Sequence, residues 1–411
     1  VALLAKLGNL VIDAGIWLNT QRPEWNDANN ALVGQGLSMV TLYYMRRYIS
    51  FLQQLLAEES GSISLSREVD LWLTETASAL SMIRPQLQAG PVGARQRYQL
   101  LVKLGQAASH YRQTVYEQGS FSGFTPQPLD QINAMLDDAL AIIDHSIEHN
   151  VREDGLYHAY NLLHIRPEAV ETDNLYPMLE GQVAAISSGT VPPARVVDVL
   201  ETLFESDMFR ADQESFMLYP DRRLPRFLEK NRIPANEVEA IPVLMHMLEQ
   251  GEDRIIVRDA EGTYRFNAEL HNVNDLNTEL DSLPPVYGAR LEEDREPLLA
   301  LYERVFNHKA FTGRSGGMFG FEGLGCIYWH MVSKLLLAVQ ENFFAARTQG
   351  ADEETCHRLG SLYYRVRKGI GFNKTPANYG AFPTDPYSHT PKYSGAQQPG
   401  MTGQVKEEVL T

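Results

Sequence analysis

Apolar positions recur at helical spacing over most of this chain. Residues 1–18 place Leu3, Leu4, Leu7, Leu10, Val11 and Ile16 near a 3.6-residue period, which predicts a first helix. From about 31 to 57, Leu32, Leu37, Val40, Leu42, Tyr44, Ile49, Leu52, Leu55 and Leu56 fall on more than one face, as expected of a buried helix. Ser66-Arg67-Glu68 opens a helix that runs to Ile83 ahead of Pro85, and another spans roughly 96–118. Ile132, Met135, Leu136, Leu140 and Ile143 mark the next. Further helices are expected from Tyr176, over 192–204, 294–306 and 326–337, and around 356–368.

The texture changes between about 216 and 283. Arg254-Ile255-Ile256-Val257-Arg258 and Thr263-Tyr264-Arg265-Phe266, separated by a turn ending in Gly262, predict a β-hairpin. The basic loop before it, with Arg222, Arg223 and Arg226, either clamps an anion or solvates a turn. The expected organisation is therefore helical material over 1–215, a β-containing insertion over 216–285, and helical material again over 286–411. The segment from Gly371 to Val405 is too rich in Pro and Gly for helix and too rich in aromatics and amides for a linker, and it reads as an ordered loop lining a polar cavity.

Composition narrows the function class. With 411 residues and 44% hydrophobic positions the chain can build a large core. A formal charge of −16, from 52 acidic against 36 basic residues, argues against nucleic acid or an anionic membrane as partner. Two cysteines, Cys326 and Cys356, make no disulfide framework, so a reducing, cytoplasmic setting is expected. The first residue, Val1, lies within a helical pattern and Glu407–Thr411 begins another, which reads as a piece of a longer protein.

The densest chemistry lies in Arg22-Pro23-Glu24-Trp25-Asn26-Asp27-Ala28-Asn29-Asn30. A Trp offers an apolar face to a pyranose ring, Asn and Arg offer donors to hydroxyls, and a carboxylic acid beside an apolar ring can protonate a leaving oxygen. On these residues alone a second reading stays open, in which Pro23 starts a helix, Asp27 caps its first turn and Trp25 is core. The loop around Tyr157 collects Asp154, His158, Tyr160 and Asn161, as a sugar-subsite wall or a packed turn would. Later, a run from Phe311 to Gly325 holds six glycines and Arg314, a bidentate partner for phosphate or carboxylate, and leads to His330. Thr402 and Gly403 precede a helical pattern, where a hydroxyl and backbone N–H groups can hold an anion. His145 and His149, four apart, form a pair with metal-ligand spacing, but no third ligand is evident and no metal is expected.

Taken in order, Trp25-Asn26-Asp27, the Gly-rich run before His330, and Thr402-Gly403 resemble the cellobiose-phosphorylase family of inverting glycoside phosphorylases. The resemblance implies a mainly α fold with part of an (α/α)6-barrel catalytic domain, Asp27 as general acid, and His330, Thr402, Gly403 and Arg314 around phosphate. Arg22, Glu24, Trp25, Asn26 and Tyr157 would contact the sugar. The implied reaction is phosphorolysis of a β-linked gluco-oligosaccharide to an α-sugar 1-phosphate, with inorganic phosphate as co-substrate and no cofactor. The expected partners are the oligosaccharide and phosphate, with a homodimer allowed and neither nucleic acid nor membrane. The 72 residues between His330 and Thr402 are similar to the family pattern. Glu24, Ala28 and Gln404 depart from it, as does the long separation of Asp27 from His330.

Two alternatives remain at this stage. An inverting hydrolase on the same fold would use Glu322, Glu180 or Asp385 as base, whereas phosphate is its own nucleophile. A helical module could also bind glycans through its Trp and Tyr residues without catalysis.

Overall fold

The computed structural model describes residues 1–19, 31–220, 225–308, 311–312, 318–319, 326–370, 389–391 and 411. They are mainly α-helical and fall into two compact units, one of residues 1–221 with 324–411 and the other of 222–323.

The first unit opens with α1 (Ala2–Leu7), which stops where the sequence reading continued it. Residues 10–17 instead form β1 (Leu10–Val11) and β2 (Gly15–Trp17), paired antiparallel with Leu10 opposite Ile16. The turn between them uses Asp13 at φ 62 and Gly15 at φ 122, backbone that a helix does not accommodate. Every residue from Leu10 to Ile16 is buried, so the apolar pattern alone cannot separate strand from helix.

The expected helix over 31–57 is likewise shorter at its start. β3 (Gly36–Ser38) pairs with β2, and α2 (Met39–Leu56) begins where the Ser38 hydroxyl accepts the Thr41 amide at 3.0 Å. Then follow β4 (Ser62–Ser66), α3 (Arg67–Ile83), α4 (Ala94–Gln118), β5 (Phe124–Pro128) and α5 (Leu129–Glu148), close to the predicted bounds. β6 (Tyr160–Arg166) and β7 (Ala169–Asn174) complete an antiparallel sheet of order β1-β2-β3-β6-β7, which curls as a half-barrel. Next come α6 (Leu179–Ser187), α7 (Pro193–Glu205) and the paired β8 (Phe209–Arg210) and β9 (Ser215–Phe216).

The second unit holds α8 (Phe227–Lys230), α9 (Ala235–Glu239), α10 (Pro242–Gln250), the predicted hairpin as β10 (Ile256–Arg258) and β11 (Tyr264–Phe266), α11 (Val273–Asp281) and α12 (Gly288–Phe306). Leu298, Leu301, Tyr302 and Phe306 of α12 share one core with Leu276 and Phe266. The helix therefore belongs with the hairpin, and this unit extends past residue 285. The short pair β12 (Phe311–Thr312) and β13 (Met318–Phe319) also falls within it.

Returning to the first unit, β14 (Cys326–Tyr328) replaces the expected first helical turn and pairs with β15 (His389–Pro391), Ile327 opposite Thr390. α13 (Trp329–Thr348) and α14 (Glu353–Gly369) follow. α6 lies between α2 and α13, α5 packs on α2, and α14 packs on both α13 and α7. Because α6 has neighbours on both sides, Leu179 to Ile186 are all buried. The described residues of this unit show a row of three helices, α2, α6 and α13, backed by others.

Candidate functional site

The entries to α2, α6 and α13 are stitched side by side. Ser38, the N-cap of α2, sits opposite Tyr160 across the β3–β6 pairing. The Tyr160 hydroxyl donates to Oε1 of Glu180, in the first turn of α6, at 3.0 Å. The Leu179 amide donates to the Leu218 carbonyl at 2.8 Å, and the neighbouring Met217 bridges to Ile327, two residues before α13. Far from these entries, Arg46 of α2 donates to the Ser188 carbonyl at 3.2 Å and Asn342 of α13 to the Ile186 carbonyl at 2.8 Å, both at the C-terminal end of α6. The three helices thus begin at one end, where their dipoles place partial positive charge, although the first amides of α2 are taken by the Ala159 carbonyl and the Ser38 hydroxyl.

Glu180 gathers the electrostatics of that end. It is 7% exposed, and a helix first turn favours its carboxylate. Tyr44 of α2 leaves part of its ring exposed, but loss of solvation around the phenol, then the Glu180 charge, push its pKa up to about 12. Arg47 works the other way and is clamped by two bonds to Glu341 of α13, at 2.7 and 2.9 Å. Aromatic rings line the same segments: Tyr176 and Tyr219 meet edge to face at 6.0 Å, and Tyr328 lies 5.6 Å from His330. Such a rim of Tyr rings and a fixed carboxylate can bind hydroxyls, over helix dipoles that favour negative charge.

The sequence-derived residues divide sharply. His330 is half-buried in the first turn of α13, its carbonyl accepting the Ser333 hydroxyl at 3.0 Å. Tyr157 is 5% exposed and packs edge to face on Tyr43 at 6.2 Å. Its backbone is held on both sides by the Gln182 amide, at 2.8 Å each way, so Tyr157 braces the loop leading to Tyr160. Arg22, Glu24, Trp25, Asn26, Asp27, Arg314, Thr402 and Gly403 lie outside the described residues, as do Glu322 and Asp385. Tyr160 belongs to the loop read as a possible sugar-subsite wall, whereas Tyr44 reads only as an apolar helix position, since nothing in local spacing sets it near Glu180.

The His145–His149 pair does acquire a third group. Asp13, 7% exposed, takes His145 Nδ1 at 2.7 Å and the Val92 amide at 2.7 Å, one on each carboxylate oxygen. Ligand atoms of Asp13, His145 and His149 lie within 4.8 Å of one another. Both ring nitrogens of His145 are already engaged, however, the second facing the Gly90 carbonyl at 3.2 Å. Ser146 and Asn150 also bond the Asp13 backbone. A cation would have to displace these bonds, and we assign the cluster to tying the β1–β2 turn onto α5.

No helix among the described residues is long and apolar enough to cross a membrane. Residues 224–309, most of the second unit, match the family model described as GH149 phosphorylase insertion domain 2. This supports a relationship to GH149-type glycoside phosphorylases. No curated protein matches the chain.

Proposed function

We propose that this chain carries the catalytic site of an inverting glycoside phosphorylase acting on a β-linked gluco-oligosaccharide. The observation that carries the proposal is the match of residues 224–309 to a phosphorylase insertion domain. That Glu180 and His330 lie in the first turns of two neighbouring helices agrees with it, because a phosphorylase must hold an anion and a polyhydroxylated ring within reach of each other.

In this reading Asp27 protonates the glycosidic oxygen as the bond to the anomeric carbon breaks. Phosphate, held by His330, Thr402, Gly403 and Arg314, attacks that carbon from the opposite face, giving an α-sugar 1-phosphate. Arg22, Glu24, Trp25 and Asn26 contact the sugar, Tyr157 braces the wall behind it, and Glu180 accepts from a substrate hydroxyl. No base is required, since phosphate is itself the nucleophile.

The buried Glu180 carboxylate also sustains a second reading, an inverting hydrolase in which it activates water. One experiment separates the two: the protein is incubated with β-linked gluco-oligosaccharides with and without inorganic phosphate, and sugar 1-phosphate and free reducing sugar are assayed. Phosphate-dependent sugar 1-phosphate is expected, and Asp27→Asn should abolish it on unactivated substrates while leaving binding nearly intact. Phosphate-independent release of reducing sugar would select the hydrolase.

A further inference from the structure

A cleft lies between α4 and the strands β2, β6 and β7, with a volume of about 420 Å³. Trp17 and Tyr98 supply aromatic surface; Asn9, Asn19 and Gln106 supply amides. We propose that this cleft binds one end of an uncharged oligosaccharide.

The lining chemistry selects that class. Among the described residues no carboxylate borders the cleft, and its single charged group, Arg112, donates to the Ser109 hydroxyl at 3.0 Å. The Trp17 indole is oriented by its N–H, which donates to the Gly34 carbonyl at 3.0 Å, and this leaves the ring for apolar contact. Asn9 is anchored through the Ala5 carbonyl at 2.9 Å and takes Asn19 Nδ2 at 2.6 Å. The Asn19 oxygen and the Gln106 amide keep hydrogen-bonding capacity, with no partner among the described residues. Oriented aromatic surface beside neutral donors and acceptors suits a ring with a C–H face and hydroxyl edges.

Gly105 is the second observation. It lies inside the 25-residue α4, where glycine is unfavourable, and a Cβ there would meet nothing within 4 Å. Glycine is not demanded by packing; its missing side chain keeps the cleft open.

That the occupant is a glucan rests on the phosphorylase reading; that it is a neutral saccharide rests on the cleft alone. The test is calorimetric titration of the protein with cellotriose and laminaritriose in phosphate-free buffer. Gly105→Leu places its side chain in the cleft and, since leucine is the better helix former, should melt no lower than the wild type. The wild type is expected to bind one more trisaccharide per chain than Gly105→Leu, and Tyr98→Ala to weaken that extra event about tenfold, the loss of one ring contact. Equal stoichiometry in wild type and Gly105→Leu, or no binding by the wild type, would overturn the proposal. Binding lost in Gly105→Leu from a protein that forms no sugar 1-phosphate would retain the cleft and reject the phosphorylase.

Discussion

Tyr160, at the start of β6, donates its hydroxyl to Oε1 of Glu180, in the first turn of α6, at 3.0 Å, with the two residues 1% and 7% exposed. A buried carboxylate that loses a donor keeps its desolvation cost. Tyr160→Phe should therefore destabilise the protein by about 1.5–3 kcal/mol, read as a lower urea midpoint at unchanged slope. Glu180→Gln, which retains an acceptor and removes the charge, should cost less.

Asp13 is the acceptor for two elements distant in sequence, Val92 and His145, and occupies φ 62, a conformation that Asp and Asn tolerate better than other side chains. Asp13→Ala leaves a buried His and a buried amide without their partner. We expect a loss of roughly 3–5 kcal/mol. Asp13→Asn should fall between it and the wild type, and denaturant unfolding of the three proteins gives the order.

Gly181 shows where helix propensity and packing disagree. Alanine would favour the α6 backbone by up to about 1 kcal/mol, but its Cβ would lie 2.8 Å from the Ala159 Cβ. Overpacking against a buried backbone typically costs about 1–3 kcal/mol. Gly181→Ala should thus lower the melting temperature, and a raised one would show that the Ala159 loop yields.

Stability should also fall with acid. His158 is 7% exposed, and burial, followed by the Arg152 charge, holds its pKa below the ordinary 6.5. Above pH 6.5 it is neutral in folded and unfolded chains alike, and its contribution is fully present. As the pH drops below that value the unfolded chain takes up a proton that the folded one resists, so unfolding is favoured. Urea midpoints measured between pH 7.5 and 5.5 should decline less in His158→Gln than in the wild type.

Regular amphipathic segments were legible from the sequence. The helices over 67–83, 94–118 and 129–148 carry clean apolar faces with capping or stop signals, and the 256–266 hairpin carries β-branched residues around a Gly turn. The helical expectation failed at Leu10–Ile16, Gly36–Ser38 and Cys326–Tyr328. At each of these, pairing with a strand elsewhere outweighs a local pattern that helix and buried strand share.

The sequence by itself determined a mainly helical chain with an inserted β-hairpin, an acidic charge that disfavours polyanions, and a set of residues suited to sugar and phosphate. Only the tertiary structure decided which of these residues meet. Tyr160 and Glu180 are 20 residues apart, and Asp13 and His145 are 132 apart. Local propensity reports the backbone preference of a few neighbouring residues, whereas a site is made by sheet register and helix packing. Those depend on which buried surfaces fit one another across the whole chain, and no window of sequence contains that information.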